Sequence, residues 1–336
     1  MKRDLKAEIE RDLELALAGP LQAPCPPRLA DATRHAVLGG GSRVRPLVCL
    51  GVFQAAATHT GDGDLARAAA TALELLHCAS LVHDDLPCFD DADLRRGKPT
   101  CHVVHGEPLA VLAGDGLIVL ALQSLARVAF QCGPDGARVF DVVSGAVAPP
   151  HGIVAGQAWE SEVDVDLAAY HRAKTGALFV AAAEAGAIAA GSDDPRWAKF
   201  GARLGEAYQV ADDLKDRLLD AAALGKDAGQ DARHDRPNAV ADFGIEGAQI
   251  RLKTILADAI ALAGRDEPGK PLVALVQALA AKVMPREMLP ITSETAPSAE
   301  GHAHARRHSS PAKACREPDG REPGHTAAPG AKAVSL

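Results

Sequence analysis

Along most of the chain apolar residues return every three or four positions, the period of a helix resting on a core. Residues 3–18, RDLKAEIERDLELALA, put Leu5, Ile9, Leu13, Leu15 and Leu17 near that spacing with charges on the other side, which predicts an opening amphipathic helix. Gly19-Pro20 and the prolines of 24–27 stop it, and Asp31 offers an N-cap for a second helix. Residues 47–58 and 64–83 read as long, largely buried helices, and 109–131 as another apolar one carrying Asp115 as a buried polar residue. Gly133-Pro134-Asp135-Gly136 predicts a turn, and 137–160 runs through a break at Pro149-Pro150. In that run Gly152 and Gly156, at i and i+4, permit close helix approach. Residues 167–190, 196–222, 247–264 and 269–284 complete an all-α pattern, and no internal repeat is evident.

Three stretches interrupt this pattern with chemistry. In HCASLVHDDLPCFDDADLRRG (77–97) an apolar helical run delivers five aspartates and two arginines within a few turns. Carboxylates so crowded repel one another unless a cation sits among them, and their hard oxygen ligands point to Mg²⁺. Asp84 and Asp90 are about 600° apart on an ideal helix with Pro87 between them, so the helix must bend or loop for both to reach one centre. His77 lies seven residues before Asp84 and shares its face. Arg95 and Arg96, read as helical neighbours, point in different directions and can grip two anionic groups. About 130 residues later Asp212-Asp213-Leu214-Lys215-Asp216 repeats the acidic cluster, with Asp212 and Asp216 one turn apart. The third stretch is Gly39-Gly40-Gly41-Ser42-Arg43-Val44-Arg45-Pro46. A glycine turn lets amides approach an anion and the arginines add donors; a helix-breaking turn with surface arginines has the same sequence.

Composition narrows the field. Aromatics make up 3% of the chain, which favours helices as the source of the core, and the net charge of −8 argues against nucleic acid as the main partner. The seven cysteines are odd in number, form no CxxC pair and sit mostly in apolar runs, as expected of reduced cysteines in a cytoplasmic protein. No signal-peptide core and no uninterrupted run of about 18 apolar residues is evident, so neither export nor a membrane span is expected. From about residue 291 the sequence turns rich in Pro, Gly, Ser, Ala and charge, so two regions are expected: residues 1–290 as the folded unit and 291–336 as a disordered tail.

With these residues in view, the chain resembles the trans-polyprenyl diphosphate synthase family over roughly residues 5–290. GGSRVRP (40–46) is similar to the family's GGKRLRP site, and LVHDDLPCFDDADLRRG to its first aspartate-rich motif in the long form. GIVAGQ (152–157), KTG (174–176), YQVADDLKD (208–216) and GKDAGQD (225–231) follow in the family's order. The wording of these motifs is closest to the geranylgeranyl diphosphate synthases of bacterial carotenoid and bacteriochlorophyll pathways. The resemblance implies an isoprenoid-synthase bundle of antiparallel helices around a central cavity, and a homodimer. It implies that Asp84, Asp85 and Asp90 face Asp212, Asp213 and Asp216 and hold three Mg²⁺ ions on an allylic diphosphate, assisted by Arg95, Lys174 and Lys226. Gly41, Ser42, Arg43, Arg45, His77 and Arg96 are the implied isopentenyl diphosphate site, and Thr175 and Gln209 the dipoles beside the carbocation.

The sequence departs from the family at Ser42, where a lysine is usual, at Gln230 and Arg236 in the later loop, and in the tail. Ala79 and Ser80 stand where short-chain enzymes place an aromatic, with Leu76 one turn deeper, which implies a twenty-carbon product. A farnesyl or other short-chain product, a class I terpene cyclase, and a regulatory subunit without turnover are the alternatives. The glycine-arginine element and the Arg95-Arg96 pair argue against the cyclase, and the two intact acidic clusters against the regulatory subunit.

Overall fold

Thirteen helices and one small hairpin make up the described part of the chain, residues 4–57, 60–223, 239–264 and 268–283 of a computed structural model. Lys226, Gln230, Arg236, the 225–231 loop, Cys315 and the tail lie outside the described residues, as does the side chain of Asp216.

The helices begin where local chemistry allows. The carboxylate of Asp4 accepts from the Ala7 amide to cap α1, Leu5–Ala18. Helix α2, Pro27–Leu38, starts four residues before the expected Asp31, because a proline at the first helical position loses no needed hydrogen bond. Helix α3, Val44–Ala56, follows Arg43 in the left-handed region at φ 50° and ψ 39°. Helix α4, Gly63–Asp84, is capped by Asp62, whose side chain accepts from the amides of Asp64 and Leu65. Helices α5, Cys101–His105, and α6, Glu107–Ala129, are followed by α7, Gly133–Gly145. There the expected turn at Gly133-Pro134 is the helix start, since Gly133 takes φ 61° and Pro134 enters the first turn. Then come α8, Ile153–Ala158, a 3₁₀ turn Trp159–Ser161, and α9, Leu167–His171, which runs through a π turn, Arg172–Gly176, into α10, Ala177–Ala189. Helices α11, Arg196–Ala223, α12, Ala239–Ala263, and α13, Lys270–Val283, close the fold.

Helix α10 is apolar apart from Glu184 and therefore sits at the centre, packed on α3, α4, α7 and α11. Gly186 makes this approach possible, because a Cβ there would fall 2.2 Å from the Cys49 carbonyl oxygen of α3. Trp197 and Phe200 at the start of α11 are fully buried and meet edge to face.

Three further expectations are corrected. Asp115 is exposed on α6, since it falls on the helix's outer face. Cys49, Cys78 and Cys101 are buried, but Cys88 is exposed on the acidic turn. Helices α4 and α6 are long and apolar enough by length and composition to cross a membrane, although no such run was expected. The apolar window of α4 is 72% buried inside the bundle, whereas that of α6 is 33% buried.

Candidate active site

The acidic stretch is built by stopping α4 and folding the chain back. Past Asp84 the backbone reverses, the amides of Asp90, Asp91 and Ala92 donating to the carbonyls of Asp84, Leu86 and Asp85 at 2.9, 3.1 and 3.2 Å. Asp91 takes φ 48° to close this loop, which carries Asp90 back toward Asp84. The loop is the bend that the six-residue spacing required.

Arg95 and Arg96 lie on a hairpin, not on a helix as read from the sequence. Strands β1, Leu94–Arg95, and β2, Lys98–Pro99, pair antiparallel around Arg96 and Gly97, both at positive φ. The turn sends the two arginines apart. Arg95 donates from Nε to Asp85 Oδ1 at 2.5 Å and lies 3.7 Å from Asp84 Oδ2. Arg96 donates to the Gly40 carbonyl at 2.7 Å and packs beneath Gly41, where a Cβ would come within 2.5 Å of its Nη1. Lys98 likewise donates to the Gly39 carbonyl at 2.8 Å.

The π turn joins the two acidic clusters through adjacent side chains. Lys174 Nζ lies 3.5 Å from Asp84 Oδ1 and 2.5 Å from Glu160 Oε1. Thr175 donates to Gln209 Oε1 at 2.8 Å, and Gln209 Nε2 donates to Asp213 Oδ1 at 2.9 Å. Two glycines grip this turn. A Cβ on Gly156 of α8 would stand 2.3 Å from the Lys174 nitrogen, and one on Gly205 of α11 would stand 2.8 Å from the Gly176 Cα. Asp212, like Asp213, is half-buried on the same stretch of α11.

Electrostatics set the character of the first cluster. Burial pushes the Asp84 carboxyl above its usual range; Lys174 and Arg95 pull it down, while Asp90 and Glu160 push it further up. Burial likewise raises Asp85, against the pull of Arg95. A half-buried Asp84 and a buried Asp85 that resist ionisation are under-compensated by the local cations, which is what a divalent ion would correct. Among the described residues no three His, Cys, Asp or Glu side chains close on a single centre. That donor set suits Mg²⁺, which keeps to one or two carboxylates plus waters and substrate phosphates.

Beside the hairpin the glycine loop separates its two arginines. Gly40 and Gly41 take φ 97° and 153°, and the left-handed Arg43 turns its side chain into the core. There Arg43 donates to both Glu10 oxygens and to Glu74 Oε1 at 2.9 Å, and to the Val37 carbonyl at 2.7 Å. Arg43 is fully buried with its donors taken, so the structure does not bring it to the anion side as expected. Arg45 is placed differently. Its guanidinium lies 4.9 Å over the Phe179 ring, its Nε is buried without a hydrogen-bond partner, and burial lowers its pKa. Burial, then Arg45, Arg96, Arg95 and Arg43, hold His77 well below the usual histidine range, so it is neutral. Ser42 is exposed beside them. The result is a concentration of positive potential with a neutral imidazole donor, suited to a phosphate-type anion.

Of the α4 residues before Asp84, Leu76 and Ala79 are buried, and Ser80 is half-buried with its hydroxyl donating to the His77 carbonyl. Sequence reading missed Glu160, which pairs with Lys174, and Tyr170 and Gln157, whose side chains donate to Glu160. The i, i+3 spacing of Gln157 and Glu160 beside the motif at 152–157 was the available signal.

This constellation on a helical bundle defines a class. The sequence pattern of the polyprenyl synthetase family matches residues 26–270, and the chain belongs to that family. Geranylgeranyl diphosphate synthases of Cereibacter sphaeroides and Rhodobacter capsulatus are 51% and 50% identical to it, each over 83% of this chain and 96% of the relative. Among solved structures it is similar to a geranyltranstransferase of Thermotoga maritima, with TM-score 0.69 and 28% identity over 83% of this chain and 97% of that one. It is equally similar to an FPP/GFPP synthase of Zymomonas mobilis, with TM-score 0.69 and 30% identity over 83% and 100%.

Proposed function

We propose that the protein is a geranylgeranyl diphosphate synthase, a Mg²⁺-dependent prenyltransferase that condenses isopentenyl diphosphate head to tail with allylic diphosphates to a twenty-carbon product. The observation that carries this reading is the π turn, whose adjacent Lys174 and Thr175 reach the first and second acidic clusters. Mg²⁺, as three ions held through Asp84, Asp85 and Asp90 on one side and Asp212, Asp213 and Asp216 on the other, would neutralise the leaving diphosphate.

Arg95, Lys174 and Lys226 bind the allylic diphosphate oxygens, while Arg45, Arg96 and His77 bind isopentenyl diphosphate, with Gly41 and Ser42 supplying close backbone approach. Arg43 serves the loop from behind through Glu10 and Glu74. The allylic C–O bond breaks with its electron pair leaving on the diphosphate, the isopentenyl double bond attacks the cation, and the departed diphosphate removes the proton. The Thr175 hydroxyl and Gln209 carbonyl face the developing positive charge with preorganised dipoles.

Product length rests on the small residues Ala79 and Ser80, with Leu76 as the next barrier. The exposed apolar side chains Val111, Leu112 and Val119 on α6 and Val103 and Val104 on α5 support a homodimer. The six free cysteines among the described residues, three of them buried, support a cytoplasmic location.

The test is chromatography of the products formed by the purified protein from labelled isopentenyl diphosphate, an allylic starter and Mg²⁺. Geranylgeranyl diphosphate is expected, and accumulation at farnesyl diphosphate would overturn the product assignment. The same assay on a chain ending at residue 290 is expected to give the same product, which would place the tail outside the catalytic unit.

A further inference from the structure

The Lys174 ammonium is contested by two carboxylates and lies nearer to Glu160, at 2.5 Å against 3.5 Å for Asp84. Glu160 is itself braced. Tyr170 donates its hydroxyl to Oε1 at 2.7 Å and Gln157 donates from Nε2 to Oε2 at 2.9 Å. These donors come from α8 and α9, on either side of the 3₁₀ turn that carries Glu160, so the carboxylate cannot rotate without breaking contacts to both helices. The side chains of Glu160, Asp84 and Lys174 are only 14, 17 and 21% exposed, so their mutual charges are weakly screened. Asp84 already faces Arg95 at 3.7 Å. A closer Lys174 would occupy the Asp84 oxygens.

We propose that Glu160 is a positioning residue that anchors Lys174 toward the diphosphate while keeping it from capturing Asp84. Neither a packing role nor simple neutralisation of a buried lysine requires this division. The inference rests on the reading of Lys174 and Asp84 given under the proposed function.

The test uses the full chain and Mg²⁺ with inorganic pyrophosphate as probe, its binding measured by calorimetry, alongside KM for each substrate. Glu160→Gln keeps the shape and the Gln157 and Tyr170 neighbours but removes the charge. It is expected to weaken pyrophosphate binding about tenfold, as loss of a charged hydrogen-bond partner does, and to raise the allylic KM while leaving the isopentenyl KM within about twofold. In a Lys174→Met background the same change is expected to have no further effect. Tyr170→Phe, which loosens the brace and keeps the charge, is expected to shift binding in the same direction by about twofold to threefold, and decides the matter if Glu160→Gln does not fold. Unchanged pyrophosphate binding, an equal rise in both KM values, or an additive effect in the Lys174→Met background overturns the proposal. If Lys174→Met weakens binding and Glu160→Gln does not, only the positioning role falls. If Lys174→Met binds normally, the reading of Lys174 as a diphosphate ligand falls with it.

Discussion

Two arginines two positions apart in one motif end in opposite environments. Arg43 closes a buried ion-pair network with Glu10 and Glu74, whereas Arg45 lies over the Phe179 ring with its Nε lacking a hydrogen-bond partner. Arg43→Ala therefore strands the buried Glu74 carboxylate and is expected to cost about 3–5 kcal/mol of stability in denaturant unfolding. Arg45→Lys is expected to leave stability within about 1 kcal/mol and to raise the isopentenyl diphosphate KM by about tenfold, because the fork is lost. The reverse pattern would reassign both residues. A sequence motif supplies residue types but not the left-handed turn at position 43 that decides which arginine is available. Asp84 carries a second prediction. Its pKa is raised in the fold, so above the unfolded value near 3.8 the folded metal-free chain holds the proton longer than the unfolded chain does. Stability contributed by this group falls as pH climbs through that window, and the loss is complete above the raised native pKa. Asp84→Asn is thus expected to gain stability relative to the parent as pH rises from about 3.8 to neutrality, while turnover drops about 10²–10³-fold. Metal-free thermal unfolding of both proteins across that range checks it, and a pH-independent difference refutes it.

Among the elements, the π turn depends on glycines that belong to its neighbours. Gly156→Ala would place a Cβ 2.3 Å from the Lys174 nitrogen, so α8 and the turn must separate. A displacement of about 1 Å at a reacting centre is worth about 10² in rate, and that loss is expected in kcat, with the isopentenyl KM little changed. An active Gly156→Ala enzyme would show that the turn tolerates the shift. The closeness of this approach was legible from the i, i+4 glycines, and so were the long helices, because their apolar periods persist over many residues. The hairpin was not, since strands of two residues leave no period to read and Arg96 is an unusual residue for a left-handed position. The start of α7 was missed for a related reason. Gly-Pro closes one segment and opens the next with the same two residues.

At the scale of the whole molecule, α6 is one apolar element that the described bundle leaves largely uncovered. Its apolar window is 33% buried, and Val111, Leu112 and Val119 stand exposed on it. Pairing with a second copy would cover them, with a stable interface burying about 1,600 Å² in total. Light scattering is expected to give a dimer for the parent chain and a monomer for Val119→Asp. A monomeric parent at micromolar concentration would remove the homodimer from the proposal. The two acidic clusters were legible in the sequence, but their connection through the π turn was not, because it depends on partners brought together only by tertiary packing.

That connection also fixes the order in which competence is acquired during synthesis. Asp84 emerges 90 residues before Lys174, and Thr175 emerges 34 residues before Gln209. A nascent chain halted after α7 owns the first acidic loop without the lysine, the glutamate or the second cluster that would let it act on a prenyl diphosphate. On the proposed reading of these residues, the ribosome-bound intermediate is expected to be inactive until the helices carrying Lys174 and the second cluster have docked.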